Sequence, residues 1–282
     1  MNKMLNIGCG SRYHPAWVNV NYRSTGEGVI PVDIRRSLPF KSDTFDVVYH
    51  SHVLEHLPKD SAVKFLLECH RVARPGSVLR IAVPDLRAIV KQYLMALECA
   101  EQGSPEWSDN YEWIVLELFD QMTRNQSGGE MAKYLARKGL PNADYVIARC
   151  GIGVKKLIQN KDNESYEMPV RYTTALIKSI VRRLNPGVMS PKRLREILLK
   201  LLLKEEYSLL EMGRFRSGGE IHYWMYDSYS LSKLLNQCGF TEVVERSASK
   251  SYLENWPSYN LDTEPDGQVY KPDSLYMEAK KL

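Results

Sequence analysis

The chain has 282 residues, of which 44% are hydrophobic and 26% charged, and its formal net charge is +4. This apolar fraction supports a packed core, and so mild a charge does not by itself indicate nucleic acid binding. The length allows one large domain or two modest ones. No apolar run approaches the roughly 18 residues that a transmembrane helix needs, so we expect no transmembrane segment.

The five cysteines are odd in number and widely spaced, and none forms a Cys-x-x-Cys pair. This usage is typical of reduced thiols in a reducing compartment. A core strand is predicted from about residue 4, so the first residues do not read as a signal peptide. These features together predict a cytoplasmic protein.

A glycine pair follows the first predicted strand, in Ile7-Gly8-Cys9-Gly10. Glycine allows a tight turn and a close approach of the backbone to a ligand. The third glycine of a dinucleotide fingerprint is missing here. The stretch from 11 to 17 is too short for a proper helix, whose N-terminus would bind a pyrophosphate. The pattern therefore favours a nucleoside cofactor without phosphates, such as S-adenosylmethionine (SAM).

Two polar residues lie at the ends of the next predicted strands. Asn21 ends the second strand, and Asp33 follows the third. Ligand contacts in an open parallel sheet come from the carboxyl ends of its strands. Asn21 could bond a ribose, and Asp33 could accept a hydrogen bond from an adenine amino group or a ribose hydroxyl.

The motifs also carry a resemblance to a family. Leu5-Asn6-Ile7-Gly8-Cys9-Gly10 resembles the first motif of class I SAM-dependent methyltransferases, and residues 38–48, 74–81 and 231–244 are similar to later segments of that fold. The resemblance covers about residues 4–86 and 221–282. It implies an α/β fold with a Rossmann-like, mostly parallel sheet, and it makes the last strand, predicted over 274–280, antiparallel.

The resemblance further implies SAM as cofactor and methyl transfer as activity. We expect the acceptor to be a small molecule or glycan-like, with the methyl group transferred to oxygen. Asn6 and Asn21 stand where the family usually has acidic residues, although an amide can still bond a hydroxyl. The expected cofactor-binding residues are Asn6, Gly8, Gly10, Asn21, Asp33, Ile34, His50 and Ser51.

A hydroxyl acceptor benefits from a general base, and a histidine of unperturbed pKa about 6.5 supplies one. We expect His222 to be this base, with Trp224 and Tyr226 beside it as pocket walls. His52, after the fourth strand, is the second candidate. The alternative is structural: His222 bonds the backbone, and Asp227 caps the following helix.

From about 87 to 220 the strand-like patterns give way to helical ones. The predicted helical runs are 87–101, 106–123, 130–138, 143–159, 172–184 and 191–211. We interpret residues 1–86 and 221–282 as two parts of the SAM-binding core. Residues 87–220 are then a helical insertion that caps it.

Part of this insertion is basic, with twelve Lys or Arg and four Asp or Glu over 155–204. The excess fits a solvated helical face, or attraction to an anionic acceptor or a membrane surface. One apolar stripe here is more typical of a core or partner-helix contact than of a membrane anchor. The stripe comprises Leu194, Ile197, Leu198, Leu201 and Leu202.

Residues 124–131 resemble residues 214–221, and both contain Ser-Gly-Gly-Glu. The repetition is either coincidence or a pair of glycine hinges around a movable block. We expect residues 131–213 to close over the acceptor if the hinges are real.

Two other functions compete with methyl transfer. His52-x-x-Glu55-His56 matches a zinc-hydrolase pattern, but that pattern needs to lie well inside a helix, and here it follows a strand directly. We therefore expect no metal, with Glu55 and His56 compensating the dipole at a helix start. The second alternative is a SAM-binding regulatory or scaffold protein without catalysis, which Asn6 and Asn21 leave open.

Overall fold

The computed structural model describes residues 3–163 and 190–282, and its seven strands form one sheet. The strands are β1 Met4–Ile7, β2 Val18–Asn21, β3 Val29–Pro31, β4 Phe45–Ser51, β5 Ala73–Pro84, β6 Thr241–Arg246 and β7 Ser274–Lys280. Their order is β3-β2-β1-β4-β5-β7-β6. The first five pair in parallel, and β7 runs antiparallel to β5 and β6. The predicted fold class and the antiparallel last strand are confirmed.

The helices of the described residues agree with most of the predicted runs. They are α1 Lys59–Val72, α2 Leu86–Glu101, α3 Pro105–Thr123, α4 Gly129–Leu135, α5 Ala143–Cys150, α6 Ile152–Asn163, α7 Pro191–Leu203, α8 Tyr207–Arg216 and α9 Ser228–Gln237. The run 143–159 is two helices because Gly151 has φ +78° between them. The run 191–211 is broken at Lys204, where φ is +46°. The predicted run 172–184 lies outside the described residues.

The helices between β5 and α9 have an apolar cluster distinct from that of the sheet. The sheet packs α1 and α9 around strand residues such as Ile7, Val48 and Ile81. Trp113 and Tyr134 centre the second cluster, within the helical segment. The five residues of the Leu194–Leu202 stripe are 44% to 76% exposed, so they do not form part of either core. Within the ranges described, no helix is both long and apolar enough to cross a bilayer.

A buried ionic network fixes the segment between β6 and β7. Arg80 in β5 is fully buried; its Nε donates to Asp262 Oδ2 (2.8 Å) and its Nη1 to Glu278 Oε1 (3.0 Å). Tyr49 Oη donates to Asp262 Oδ1 (2.6 Å), and Arg80 Nη2 donates to the Ser247 carbonyl (2.9 Å). Buried charges are retained when they are paired and hydrogen-bonded like these. The network holds the 247–271 segment against the sheet.

Candidate functional site

A cavity of about 230 Å³ opens where β1 and β4 end. Ligands of open α/β sheets bind at this carboxyl edge. Some lining residues come from the chain after β1 and β4, and others come from the segment that the Arg80 network holds. The lining residues are Asn6, Gly8, Cys9, Gly10, Ser11, Arg12, Tyr49, Ser51, His52, Leu261, Tyr270 and Lys271.

The glycine turn after β1 brings bare backbone to this cavity. Gly8 has φ +68°, and a Cβ there would lie 2.4 Å from Val53 Cγ2. Gly10 has φ +53° with nothing within 4 Å of the Cβ position. The turn is tied to β2, since the Gly8 N–H donates to the Val20 carbonyl at 2.8 Å. Both glycines therefore meet the steric and conformational needs predicted for them.

Asn6 and Arg12 hold the turn together. Asn6 is 1% exposed, and its Nδ2 donates to Asn19 Oδ1 and the Arg12 carbonyl, each at 3.2 Å. The Arg12 guanidinium pairs with Glu264 at 2.8 Å and lies 3.9 Å from the centre of the Tyr270 ring. Arg12, two residues after Gly10, thus holds the 261–271 segment against the turn.

The residues expected near adenosine follow β2 and β3, outside the cavity lining. Asn21 Nδ2 donates to the Arg23 carbonyl at 3.0 Å. Arg35 donates to both carboxylate oxygens of Asp33 (2.8 and 2.9 Å), and this hydrogen bonding lowers the pKa of Asp33. Ile34 packs at the margin of the sheet core. In the sheet, β2 is next to β1 and β3 lies beyond β2. The residues at the ends of these two strands are not among those that line the cavity.

The end of β4 divides its predicted site residues between two faces. Ser51 and His52 line the cavity, and His52 has φ +53°, an unusual conformation for a residue with a Cβ. The His50 ring instead packs 5.1 Å from Phe65 of α1, fully buried. Burial lowers the pKa of His50 to about 4. Successive side chains of a strand alternate in direction, so the expectation that His50 contacts the cofactor is not met by its side chain.

The structure does not bring His222 to the cavity. Its side chain is buried, and its ring packs edge-to-face on His56 with centroids 4.7 Å apart. Burial lowers the pKa of His222 to about 3, which makes it a weak base. Tyr226 is buried in the sheet core, and Trp224 lies under the Lys59 ammonium (3.5 Å), so neither forms a cavity wall.

Asp227 has the structural role given as the alternative. Its carboxylate accepts from the Ser230 N–H at 2.7 Å and caps α9. The zinc-hydrolase arrangement is not formed either. His56 lies in a short 3-10 turn, Leu54–His56, before α1 begins at Lys59. His52 precedes that turn, so the two histidines do not share one face of a helix.

Several lining residues were not singled out from the sequence. Tyr49 lies within β4, and Leu261, Tyr270 and Lys271 lie in the long connection between β6 and β7, where no sequence motif marks them. Burial lowers the pKa of Lys271. One signal for this wall is present in the sequence: Arg80 interrupts an apolar strand, and a buried arginine needs acidic partners from elsewhere in the chain.

Residues 16–81 match the family model described as a methyltransferase domain. A search of curated proteins gave no significant match. Among solved structures, the PH0226 protein from Pyrococcus horikoshii OT3 is 20% identical over 32% of this chain and 53% of its own, with a TM-score of 0.27. A SAM-dependent methyltransferase from Archaeoglobus fulgidus is 13% identical over 99% of this chain and 86% of its own, with a TM-score of 0.39.

A SAM-dependent methyltransferase from Thermotoga maritima is 10% identical over 100% of this chain and 83% of its own, with a TM-score of 0.37. The chain spans little more than half of the Pyrococcus horikoshii protein, at 53%. The family match covers one segment, which runs from the start of β2 into β5. The sheet around that segment has the predicted antiparallel last strand, and the glycine turn follows β1. Residues 16–81 are thus similar to a methyltransferase domain and lie within a Rossmann-like sheet.

Proposed function

We propose that this chain transfers the methyl group of SAM to an oxygen of a small-molecule or glycan-like acceptor. The observation that carries the proposal is the cavity, which joins the glycine turn after β1 to Ser51 and His52 after β4. Its size of about 230 Å³ and its enclosure by the 261–271 segment favour small groups over a folded partner.

The residues around the cavity fit the cofactor. The Gly8–Gly10 turn offers backbone without side chains, which suits the methionine part of SAM. Asn21 and Asp33 follow the neighbouring strands and suit its adenosine. When bound, SAM supplies a methyl group already activated on a sulfonium. The protein's own task is therefore to orient the acceptor and exclude water.

His52 is better situated than His222 to accept a proton from an acceptor hydroxyl. It lines the cavity, and its Nε2 lies 2.9 Å from Ser274 Oγ, a contact that orients the ring. A positioned base contributes roughly 10²–10⁴-fold to such a step. Lys271, also in the lining, favours an acceptor or cofactor group that carries negative charge, as does the basic stretch 155–204.

Residues 87–220 act in this proposal as a cap beside the acceptor. The support is local: a Cβ at Gly151, between α5 and α6, would lie 2.4 Å from the Tyr270 carbonyl oxygen. The helical segment thus packs directly against a stretch that lines the cavity. The division into a core of 1–86 with 221–282 and a cap of 87–220 belongs to the same proposal.

The first experiment measures SAM binding by calorimetry on wild type, Gly10→Val and Gly103→Val. Gly103 shares the left-handed φ (+82°) and the open surroundings of Gly10 but lies at the end of α2, outside the cavity lining. We expect wild type and Gly103→Val to bind SAM and Gly10→Val to lose binding, because its side chain fills the ligand's place. If the wild-type chain binds NAD and does not bind SAM, the assignment of SAM as cofactor is wrong.

The second experiment follows transfer from labelled SAM to hydroxylated small molecules and glycans. His52→Ala should lower kcat by roughly 10²–10⁴-fold while SAM affinity is kept. Tight SAM binding with no turnover on any acceptor would favour the regulatory alternative. Full activity in His52→Ala would leave positioning alone as the source of catalysis.

A further inference from the structure

Three side chains that the methyl-transfer proposal does not use meet behind the cavity. Glu55, His56 and His222 each offer a ligand atom, and these atoms lie within 4.8 Å of one another. Donors around one tetrahedral zinc ion, with bonds of about 2.0–2.2 Å, lie roughly 3.4 Å apart. Small side-chain adjustments would therefore bring all three donors onto one ion.

The buried carboxylate of Glu55 accepts no aligned hydrogen bond from the residues that the structure describes. Its ion-pair contact is with His52, whose Nδ1 lies 3.2 Å from Glu55 Oε1 without hydrogen-bond alignment. Burying a carboxylate without an aligned hydrogen bond is costly, and a bound cation would offset that cost.

The His56 ring is oriented as that of a metal ligand usually is. His56 Nδ1 lies 3.0 Å from the Ile221 carbonyl oxygen, so this nitrogen carries the proton and Nε2 keeps its lone pair. The backbone holds the two chain segments together, since the Tyr223 N–H donates to the Glu55 carbonyl at 2.7 Å. The His222 N–H donates to the Gln121 carbonyl at 2.9 Å.

The chemistry of the three side chains suits a transition-metal ion. Carboxylate oxygens and imidazole nitrogens are ligands that Zn²⁺ takes from proteins.

We propose that Glu55, His56 and His222 bind a divalent transition-metal ion, with Zn²⁺ as the best match to two imidazoles and one carboxylate. Three protein ligands leave one coordination position open, as in catalytic zinc sites. The site adjoins the cavity through His52, which lines the cavity and lies 3.2 Å from Glu55. This inference depends on the three ligands and does not depend on the identity of the methyl acceptor.

The test uses the full chain stripped with a chelator and titrated with Zn²⁺ alone. We expect one equivalent to bind, and His222→Ala and Glu55→Gln to weaken binding by about 100-fold or more, since even outer partners of metal sites are worth 10–100-fold. His70→Ala is the matched control, because His70 packs on Phe240 and lies outside the cluster. Equal binding by His222→Ala and His70→Ala would refute the site.

A second measurement needs no variant and so does not depend on how well the variants fold. Cobalt(II) is added to the stripped wild-type chain, and the absorption spectrum is recorded. Nitrogen and oxygen ligands give d–d bands without a thiolate charge-transfer band. A thiolate band would assign the metal to one of the cysteines, and absence of stoichiometric binding would show that Glu55 is neutralised by the histidines alone. Either result overturns the proposal.

Discussion

Arg80 determines how firmly the outer wall of the cavity is held. Its replacement by methionine leaves Asp262 buried without a charge partner, and it leaves the buried Glu278 with Arg246 alone. We expect Arg80→Met to lower the free energy of unfolding by about 3–5 kcal/mol, the usual result of breaking a buried ion pair. Urea denaturation of the whole chain measures this.

Arg74→Met is the matched control for Arg80→Met. The Arg74 side chain is 46% exposed and pairs with Asp46 at 2.8 Å on the surface. Exposed pairs contribute about 0–1 kcal/mol, so this variant should stay close to wild type. Similar losses in both variants would mean that the Arg80 network contributes no more than a surface pair.

Glu68 predicts a pH dependence of stability. Arg71 donates to its carboxylate (2.8 and 2.7 Å), and this bonding, with the Leu38 N–H, lowers the pKa from 4.5 to about 2. A lowered pKa in the folded state stabilises above pH 4.5, and the contribution is lost as pH falls toward 2. Glu68→Gln should thus cost about 1 kcal/mol at pH 7 and almost nothing near pH 2.

Urea unfolding of wild type and Glu68→Gln over a pH series checks this prediction. The measurement near pH 2 is its own control, because Glu68 is then protonated in the unfolded chain and about half protonated in the folded chain, so most of the contribution of its charge is lost. A stability difference that is the same at every pH would show that the Glu68 charge is not the cause.

Only one wall of the candidate site, the glycine turn after β1, was predictable from the sequence. Gly8 and Gly10 were identifiable because only glycine suits the left-handed backbone of a turn that approaches a ligand. His222 was selected by its position before the last helix, but burial against His56 was invisible in a linear pattern. Tyr270 and Lys271 were missed because a loop carries no periodicity that reveals what it covers.

At the scale of elements, the strands and most helices were predictable because the apolar periodicity of each segment ends where glycine, proline or a capping residue occurs. Ser274–Lys280 is an unbroken apolar-rich strand and was predicted with its observed bounds. Residues 143–159 read as one helix because the apolar spacing continues across Gly151. A glycine inside a helical pattern is usually tolerated, and only the contact with Tyr270 explains the break there.

The N-terminus of α9 gives a prediction at this scale. The Asp227 carboxylate accepts from the Ser230 N–H, and the Ser230 hydroxyl oxygen accepts from the Asp227 N–H, which is a reciprocal capping box. Asp227→Ala should lower the free energy of unfolding by about 1 kcal/mol. Ser104 precedes α3 but makes no side-chain cap bond. Ser104→Ala should therefore change the free energy of unfolding by about 0.5 kcal/mol at most. Thermal denaturation of the two variants makes the comparison, and equal effects would contradict the capping role.

At the scale of the whole molecule, the two Ser-Gly-Gly-Glu stretches meet in space. Glu220 Oε1 accepts from the Gly128 N–H at 2.9 Å and from Arg124 at 3.3 Å. Arg216 donates to the carbonyls of Met122 and Arg124, each at 3.2 Å. The helical block therefore leaves and rejoins the chain at one hydrogen-bonded junction. Movement of that block over the acceptor stays a prediction.

The contact between the helical segment and the cavity wall gives the last prediction. Gly151 has φ +78°, and a Cβ there would lie 2.4 Å from the Tyr270 oxygen and 2.8 Å from Pro272 Cδ. Gly139 has φ +62° with nothing within 4 Å. Alanine at either position strains a backbone with positive φ, at a cost of about 1–3 kcal/mol. At Gly151 the alanine methyl group would also collide with the Tyr270 carbonyl, so the backbone next to Lys271 must move.

We therefore expect Gly139→Ala to lose stability alone, whereas Gly151→Ala also loses about tenfold in SAM affinity, equal to about 1.4 kcal/mol. Calorimetric titration with SAM at a temperature where both variants are folded separates the two effects. Because both substitutions place alanine at a positive φ and affinity is measured on folded chains, the difference in affinity reports the displacement of the cavity wall. Equal SAM affinities would mean that the helical segment packs on this wall without determining its shape, and the cap would then have to act on the acceptor alone.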